Sequence, residues 1–372
     1  MHAPYEYQWT AGAGPVNALW PLAPALLEDE VISSWLVRCA LAHDCEPTTL
    51  TGDVWLGVRA WCVDIDRELS RGQLAALHAR SGLTVGALEA STLVRFWAQM
   101  TGAEHFPHGI APWILCLGVR NRRRCGGLQY CPLCFDTHQP HYLLQGRLAW
   151  HTVCPIHHAG LLDHCEHCNA PLCPHLLLPP ELDLGHCHRC GFELKCARPG
   201  PVLENALRFQ NATDSLFSGP PLFYGQAHLP LVEWLSLAKW MLGLLRNGAR
   251  GRGSCTDSFF KKLGVSFEDA PPLGTGLPFE YLAPGERADL LSNVWIMIQA
   301  GPDRLIRAAR DEGASPSLLL SRGGKLPETL AELTSVMHSR WQRHAPETHS
   351  DKPRLPKSVL LQWHRLLRKF QR

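Results

Sequence analysis

Apolar positions recur at helical intervals along most of the chain. Val31, Ile32, Trp35, Leu36, Cys39 and Ala40 follow Glu28-Asp29-Glu30, which predicts a helix with acids at the end where the helix dipole favours them. Pro4, Pro15, Pro21 and Pro24 predict an extended arm before it, and Pro47-Thr48-Thr49-Leu50 restarts the chain after a break. Between Arg71 and Leu93 the pattern is two short helices. Leu74, Leu77 and Ala79-Arg80 mark the first, Ser81-Gly82-Leu83 the turn, and Thr84 offers a hydroxyl to cap the second. This helix-turn-helix shape makes Thr84 a candidate DNA contact.

Periodicity fades over residues 118–200, which are rich in Gly, Pro, Cys and His. Small metal domains read this way, because an ion substitutes for a hydrophobic core. Pro199-Gly200-Pro201 closes the segment, and helical spacing then resumes. One amphipathic helix is predicted from Leu231 to an end at Asn247-Gly248, and a second over Thr256–Leu263. Ala288–Ile298 and Pro302–Asp311 form a pair joined at Ala300-Gly301, with Pro302 in a first turn; two more helices follow over Thr329–His344 and Pro356–Arg372. The expectation is a mainly α, multidomain chain. Residues 1–117 form a helical, helix-turn-helix-like domain, 118–200 a tandem zinc-knuckle or ribbon segment, and 201–372 a basic helical, helix-turn-helix-like domain.

The length of 372 residues suits two or three domains, and 45% hydrophobic against 19% charged residues supports packed cores rather than disorder. No run of about 18 apolar residues suggests a membrane span, and no signal-like start is visible. Eleven of the 15 cysteines lie between Cys116 and Cys196, a pattern that reads as metal binding in a reducing compartment. The expected location is therefore cytoplasmic and nucleoid-associated.

Spacing sorts these cysteines into two four-ligand sets. The first is Cys131-x2-Cys134 with Cys154-x2-His157, and the second is Cys165-x2-Cys168 with Cys187-x2-Cys190. A two-residue gap lets both donors of a pair reach one ion, and two pairs complete a tetrahedron. Thiolate-rich tetrahedral sites favour zinc or iron–sulfur, and His157 argues for zinc, giving two structural Zn2+ per chain. Cys116, Cys125, Cys173 and Cys196 are left over, and Cys173, Cys196 or a nearby histidine could replace a donor of the second set. His164-Cys165-Glu166 with Cys187-x2-Cys190 imitates the H-x-E plus C-x2-C layout of nucleobase deaminases, but no proline precedes Cys187 and Cys165 and Cys168 would be idle. Phosphate-loop and nucleophile-elbow motifs are absent, so an enzyme is not expected.

The net charge of +2 conceals an asymmetry. Lys and Arg number 6 against 12 acids in residues 1–117, 8 against 6 in 118–200 and 22 against 16 in 201–372. Arg120, Arg122, Arg123 and Arg124 could clamp phosphates, as could a tail containing Arg354, Lys357, Arg365, Arg368 and Lys369. Read alone, these parts fit a zinc-stabilised, sequence-specific transcription regulator, or more remotely a zinc enzyme acting on nucleic acid.

Tyr130-Cys131-Pro132-Leu133-Cys134-Phe135-Asp136, Tyr142, Arg147-Leu148, Thr152-Val153-Cys154-Pro155-Ile156-His157, Leu161-Leu162 and Cys165-x2-Cys168 resemble the TniQ/TnsD family of transposon-encoded target-selection proteins. Pro21–Pro24, the run from Glu30 through Ser34-Trp35-Leu36 to Arg38 and Ala40, and Asp64-Ile65-Asp66-Arg67 are similar to the family's opening segments. The resemblance implies an adaptor that recognises a target and recruits an AAA+ transposition regulator of the TniB/TnsC kind, which licenses the transposase. It implies as partners DNA, an RNA-guided or other target-bound complex, and a second copy of the chain, with no membrane.

Overall fold

The helix expected after Glu30 is α1 (Ile32–Ala42), and every residue from Ile32 to Ala40 is buried. The computed structural model describes residues 19–117, 127–179, 183–250, 254–266, 277–319 and 326–333, with Leu360 and Trp363. α1 forms a wall between two cores. Ile32, Trp35, Leu36, Cys39 and Ala40 pack with Leu50 of α2 (Pro47–Val54), Leu74 and Leu77 of α3 (Arg71–Ser81) and Leu88 of α4 (Val85–Ala90). Val31 and Val37 face a larger core that runs through the rest of the described chain.

A helix buried on both sides must satisfy its polar residues internally. Ser33 donates to Asp66 through its backbone N–H (2.8 Å) and its hydroxyl (2.9 Å). Ser34 donates to Glu30 at 2.8 Å, and Arg38 pairs with the same carboxylate at 2.7 Å while reaching the Ala25 carbonyl. The acids before α1 therefore differ from the sequence expectation. None lies in the first turn. Glu30 is buried in an ion pair, and Asp29 adopts a left-handed φ of 52° with its carbonyl accepting from Leu144.

α3 opens with a reciprocal capping box between Ser70 and Gln73 and ends at Gly82, and α4 opens on Thr84, whose hydroxyl accepts from the Ala87 N–H at 3.2 Å. The helix–turn–helix order holds, with a second helix of only six residues. α5 (Val94–Thr101) follows and sends Phe96, Trp97 and Met100 into the larger core.

That core also takes Tyr142, Leu144, Leu148 and Trp150 from the cysteine-rich segment, along with α7 (Glu204–Ser215), α8 (Leu231–Arg250) and α10 (Pro284–Asp311). Trp150 is fully buried, edge-on to Trp113 and stacked on Phe217. The expectation that metal would substitute for a core in residues 118–200 is thus corrected: the segment contributes apolar side chains to the core. Between α7 and α8 lies an antiparallel ribbon, β1 (Leu222–Tyr224) with β2 (Ala227–Leu229), in the register Leu222↔Leu229 and Tyr224↔Ala227. α8 does not end at Asn247-Gly248. It continues to Arg250, and Gly248 is buried where a Cβ would stand 2.1 Å from the Phe260 ring of α9 (Ser254–Lys262). Gly248 is a packing glycine, not a helix stop. α10 breaks at Gly301 (φ 78°, ψ 167°) and resumes at Pro302, as the paired-helix pattern expects, and the short α11 (Pro316–Leu319) follows. The described chain is mainly α, and none of its described helices is long and apolar enough to cross a membrane. Of the two last expected helices, Glu328–Leu330 forms a single 3-10 turn; nearly all the rest lies outside the described residues.

Two buried guanidinium groups tie these parts together. Arg147 donates from Nη1 to Asp64 (3.1 Å) and Asp66 (2.5 Å), and from Nη2 to Asp64 (2.7 Å) and the Leu115 carbonyl (2.8 Å). Arg287 of α10 reaches the Ala149 and His151 carbonyls and Gln129 Oε1 (2.6 Å). Arg147→Met leaves Asp64 and Asp66 with no counter-charge from that side chain, and removing one partner of a buried pair costs about 3–5 kcal/mol. Chemical denaturation should show a loss of that size; a change below about 1 kcal/mol, the range of exposed pairs, would refute the assignment.

Candidate metal centres

Three of the four donor pairs are built on one backbone turn. In each, the N–H four residues after the first cysteine donates to that cysteine's carbonyl: His158 to Cys154, Asn169 to Cys165 and Gly191 to Cys187, at 2.8–2.9 Å. Those three residues all have positive φ, at 48°, 57° and 69°. The first cysteine's own N–H returns to the carbonyl five residues on, at Ala159, Ala170 and Phe192. An antiparallel bridge flanks each turn, at Val153↔Gly160, His164↔Pro171 and His186↔Glu193. Beyond the two-residue gap, the sequence trace of this repeat is His, Asn and Gly at one register, three types that populate left-handed backbone more readily than others. The fourth pair is different. Cys131 caps α6 (Pro132–Thr137), Pro132 sits in its first turn, and Cys134 lies within it.

These turns gather the eight donors into two groups. In each, the donor atoms all lie within 4.8 Å of one another: Cys131, Cys134, Cys154 and His157 in one, Cys165, Cys168, Cys187 and Cys190 in the other. In the first group Cys134 Sγ is 3.6 Å from Cys154 Sγ and 3.2 Å from His157 Nδ1, with His157 Nδ1 3.7 Å from Cys131 and 3.8 Å from Cys154. In the second, Cys165–Cys190 is 3.7 Å and Cys168–Cys187 is 3.6 Å. A tetrahedron with metal–sulfur bonds near 2.3 Å has edges of about 3.8 Å, so both groups match the span of one ion. The antiparallel Tyr130↔Leu162 bridge joins the segment entering Cys131 to the one leading into Cys165.

The electrostatics point the same way. Cys131 and Cys134 hydrogen-bond to Cys154 and push its thiol far down, while the contact with Cys131, followed by that with Cys154, pushes Cys134 far up. Burial raises Cys165 to about 12, and the Phe192 N–H, followed by His167, lowers exposed Cys190 to about 6. Thiols forced this close compete for protons, and a cation removes the competition by holding all of them as thiolates. Both groups could hold a metal ion, and their donors are compatible with zinc.

Cys173 and Cys196 lie outside both groups. So does His164, which pairs with Asp163 at 2.8 Å, while Glu166 accepts the Arg198 N–H at 2.8 Å. The deaminase-like layout is therefore not assembled: its glutamate caps a backbone amide, and Cys165 and Cys168 take the positions beside Cys187 and Cys190. Thr84 is exposed, but its hydroxyl serves as a helix cap, and the α4 sequence carries Glu89 and no cation. Arg120, Arg122, Arg123, Arg124, Arg354, Lys357, Arg365, Arg368 and Lys369 lie outside the described residues. Pairings that sequence reasoning missed are those of Arg147 and Arg287, because a buried arginine has no local signature that separates it from an exposed one.

Residues 21–161 match the family model described as TniQ, a stretch that runs from the end of the arm through nearly all of the first core to the first donor group. Among curated proteins no match is found.

Two metal equivalents per chain are expected by elemental analysis of the purified protein. Cys131→Ser and Cys165→Ser should each remove one equivalent, and a chelator should lower the thermal midpoint of the wild type. Glu166→Ala should leave both equivalents bound. Retention of two equivalents in both serine variants would remove the metal assignment.

Proposed function

From the match of residues 21–161 to the TniQ family model, we propose that this protein is a non-enzymatic, transposon-encoded adaptor for target-site selection. The family carries a general role in selecting transposition targets. The finer reading is that the chain binds DNA, or a complex already seated on DNA, and recruits an AAA+ regulator of the TniB/TnsC kind. A second copy of the chain, and an RNA-guided or other target-bound complex, belong to the same proposal. So does the division into units 1–117, 118–200 and 201–372.

The observation that carries the reading is the family match together with two closed donor sets. Four protein donors fill a tetrahedron and leave no open position for water or substrate. Zinc in both sets would brace a binding surface, with Cys131, Cys134, Cys154 and His157 holding one ion and Cys165, Cys168, Cys187 and Cys190 the other. Polar groups near the second set are committed to local structure, with Glu166 on a backbone amide and His164 on Asp163.

The test is co-recruitment. Immobilised target DNA should retain an AAA+ regulator of the TniB/TnsC kind only when the chain, with any target-bound complex, is present. Retention of the regulator regardless of the chain, or sequence-specific repression by the chain with no regulator bound, would favour the transcription-regulator reading instead.

A further inference from the structure

We infer that the outer face of the Pro302–Asp311 half of α10, with the end of α9, is a docking surface for the phosphate backbone of duplex DNA. Arg304, Arg307 and Arg310 recur every third residue there, and all three are exposed. The helix rises about 9 Å over those six residues and turns back by roughly 60° at each step, so the three guanidinium groups share one broad face. That length matches two to three successive phosphates at about 3.4 Å of axial rise per strand.

The pairing of the neighbouring acids separates this face from an ordinary solvated one. On a helix surface, opposite charges four residues apart normally meet. Asp303 and Asp311 both stand four residues from Arg307, yet neither forms a salt bridge with it among the described residues. Asp311 turns instead to Lys262 of α9 (3.1 Å), which also takes Glu312 (2.8 Å). One lysine thus engages two of the three neighbouring acids, Asp303 stays exposed, and none of the three arginines has a carboxylate in salt-bridge range among the described residues. Arg304 Nε donates to the Lys262 carbonyl (2.6 Å) and Arg307 Nε to the Asp303 carbonyl (3.3 Å). Both bonds use Nε, so the terminal nitrogens of these two forks are not engaged by them. Lys261, exposed on the last turn of α9, adds a fourth cation.

The apolar residues of the stretch, Leu305, Ile306, Ala308 and Ala309, are all buried. The exposed face therefore has no apolar centre of the kind protein interfaces bury, and it suits a polyanion better than a protein. The choice of duplex DNA as that polyanion rests on the function proposed above.

Binding of a labelled random-sequence DNA duplex by the full-length, metal-loaded chain is measured over a salt series. The triple variant Arg304→Gln/Arg307→Gln/Arg310→Gln should bind at least about tenfold more weakly at low salt. Its plot of log affinity against log salt should be shallower by about 2–3, close to one unit for each phosphate that is no longer neutralised. Arg208→Gln, an exposed arginine of α7 paired with Glu204, should bind as the wild type does. Circular dichroism and metal content report folding. Should the triple variant fail to fold, Arg307→Glu must shift affinity and slope in the same direction, since the Arg307 side chain bonds only to its own helix among the described residues. Unchanged affinity and slope in the folded variant overturn the inference. So does a wild type that ignores the duplex, or that prefers an RNA duplex to DNA. Recruitment of the AAA+ regulator is scored separately, so failure of this surface and failure of the adaptor reading give different results.

Discussion

The guanidinium of Arg147, buried between Asp64 and Asp66, is the interaction on which the arrangement depends. A charge removed from water is tolerated when opposite charges and well-placed acceptors compensate it. Arg147 meets both carboxylates and the Leu115 carbonyl, and Asp66 passes the connection to the N-terminal turn of α1 through Ser33. The first core, the wall helix and the cysteine-rich segment are thereby held together. Arg287 plays the equivalent part from α10, with carbonyls and Gln129 as acceptors in place of carboxylates. Cationic forks rather than apolar contacts alone thus fix the cysteine-rich segment at two points.

This changes the meaning of the charge asymmetry. Residues 1–117 hold twice as many acids as cations, which invites a partner-facing reading. Glu30, Asp64 and Asp66 are instead consumed inside the molecule by Arg38, Arg67 and Arg147. Part of the acidic excess is internal wiring. The exposed cations of α10 show the converse, because Lys262 draws off Asp311, one of the two acids placed four residues from Arg307. Net charge counts residues, whereas a partner meets only what is exposed and uncompensated.

The two metal groups illustrate a division between donors and scaffold. Three pairs use one backbone turn whose left-handed residue is His158, Asn169 or Gly191, and the fourth uses the start of a helix. What the pairs share is a two-residue gap that aims both donors at one point. The apolar residues between them reach the same core as α7, α8 and α10, so these centres are embedded in the fold rather than standing in for it.

The sequence by itself determined what is local. Cysteine spacing selected the eight donors that lie together in two groups, because a two-residue gap is a local geometric fact. Apolar periodicity located α1, α8, α9 and the broken α10, because amphipathic helices repeat every 3.6 residues. Gly248 misled because a glycine near a helix end reads as a stop, and only the Phe260 ring beside it shows that the missing side chain makes room. Glu30 misled for a related reason: an acid before a helix looks like a dipole partner until Arg38 and the burial of α1 are seen. The tertiary structure alone decided which charges are internal and which face solvent. Part of that choice is made by residues more than 80 positions apart, as Arg147 and Asp66 are, and no local pattern encodes a contact of that length.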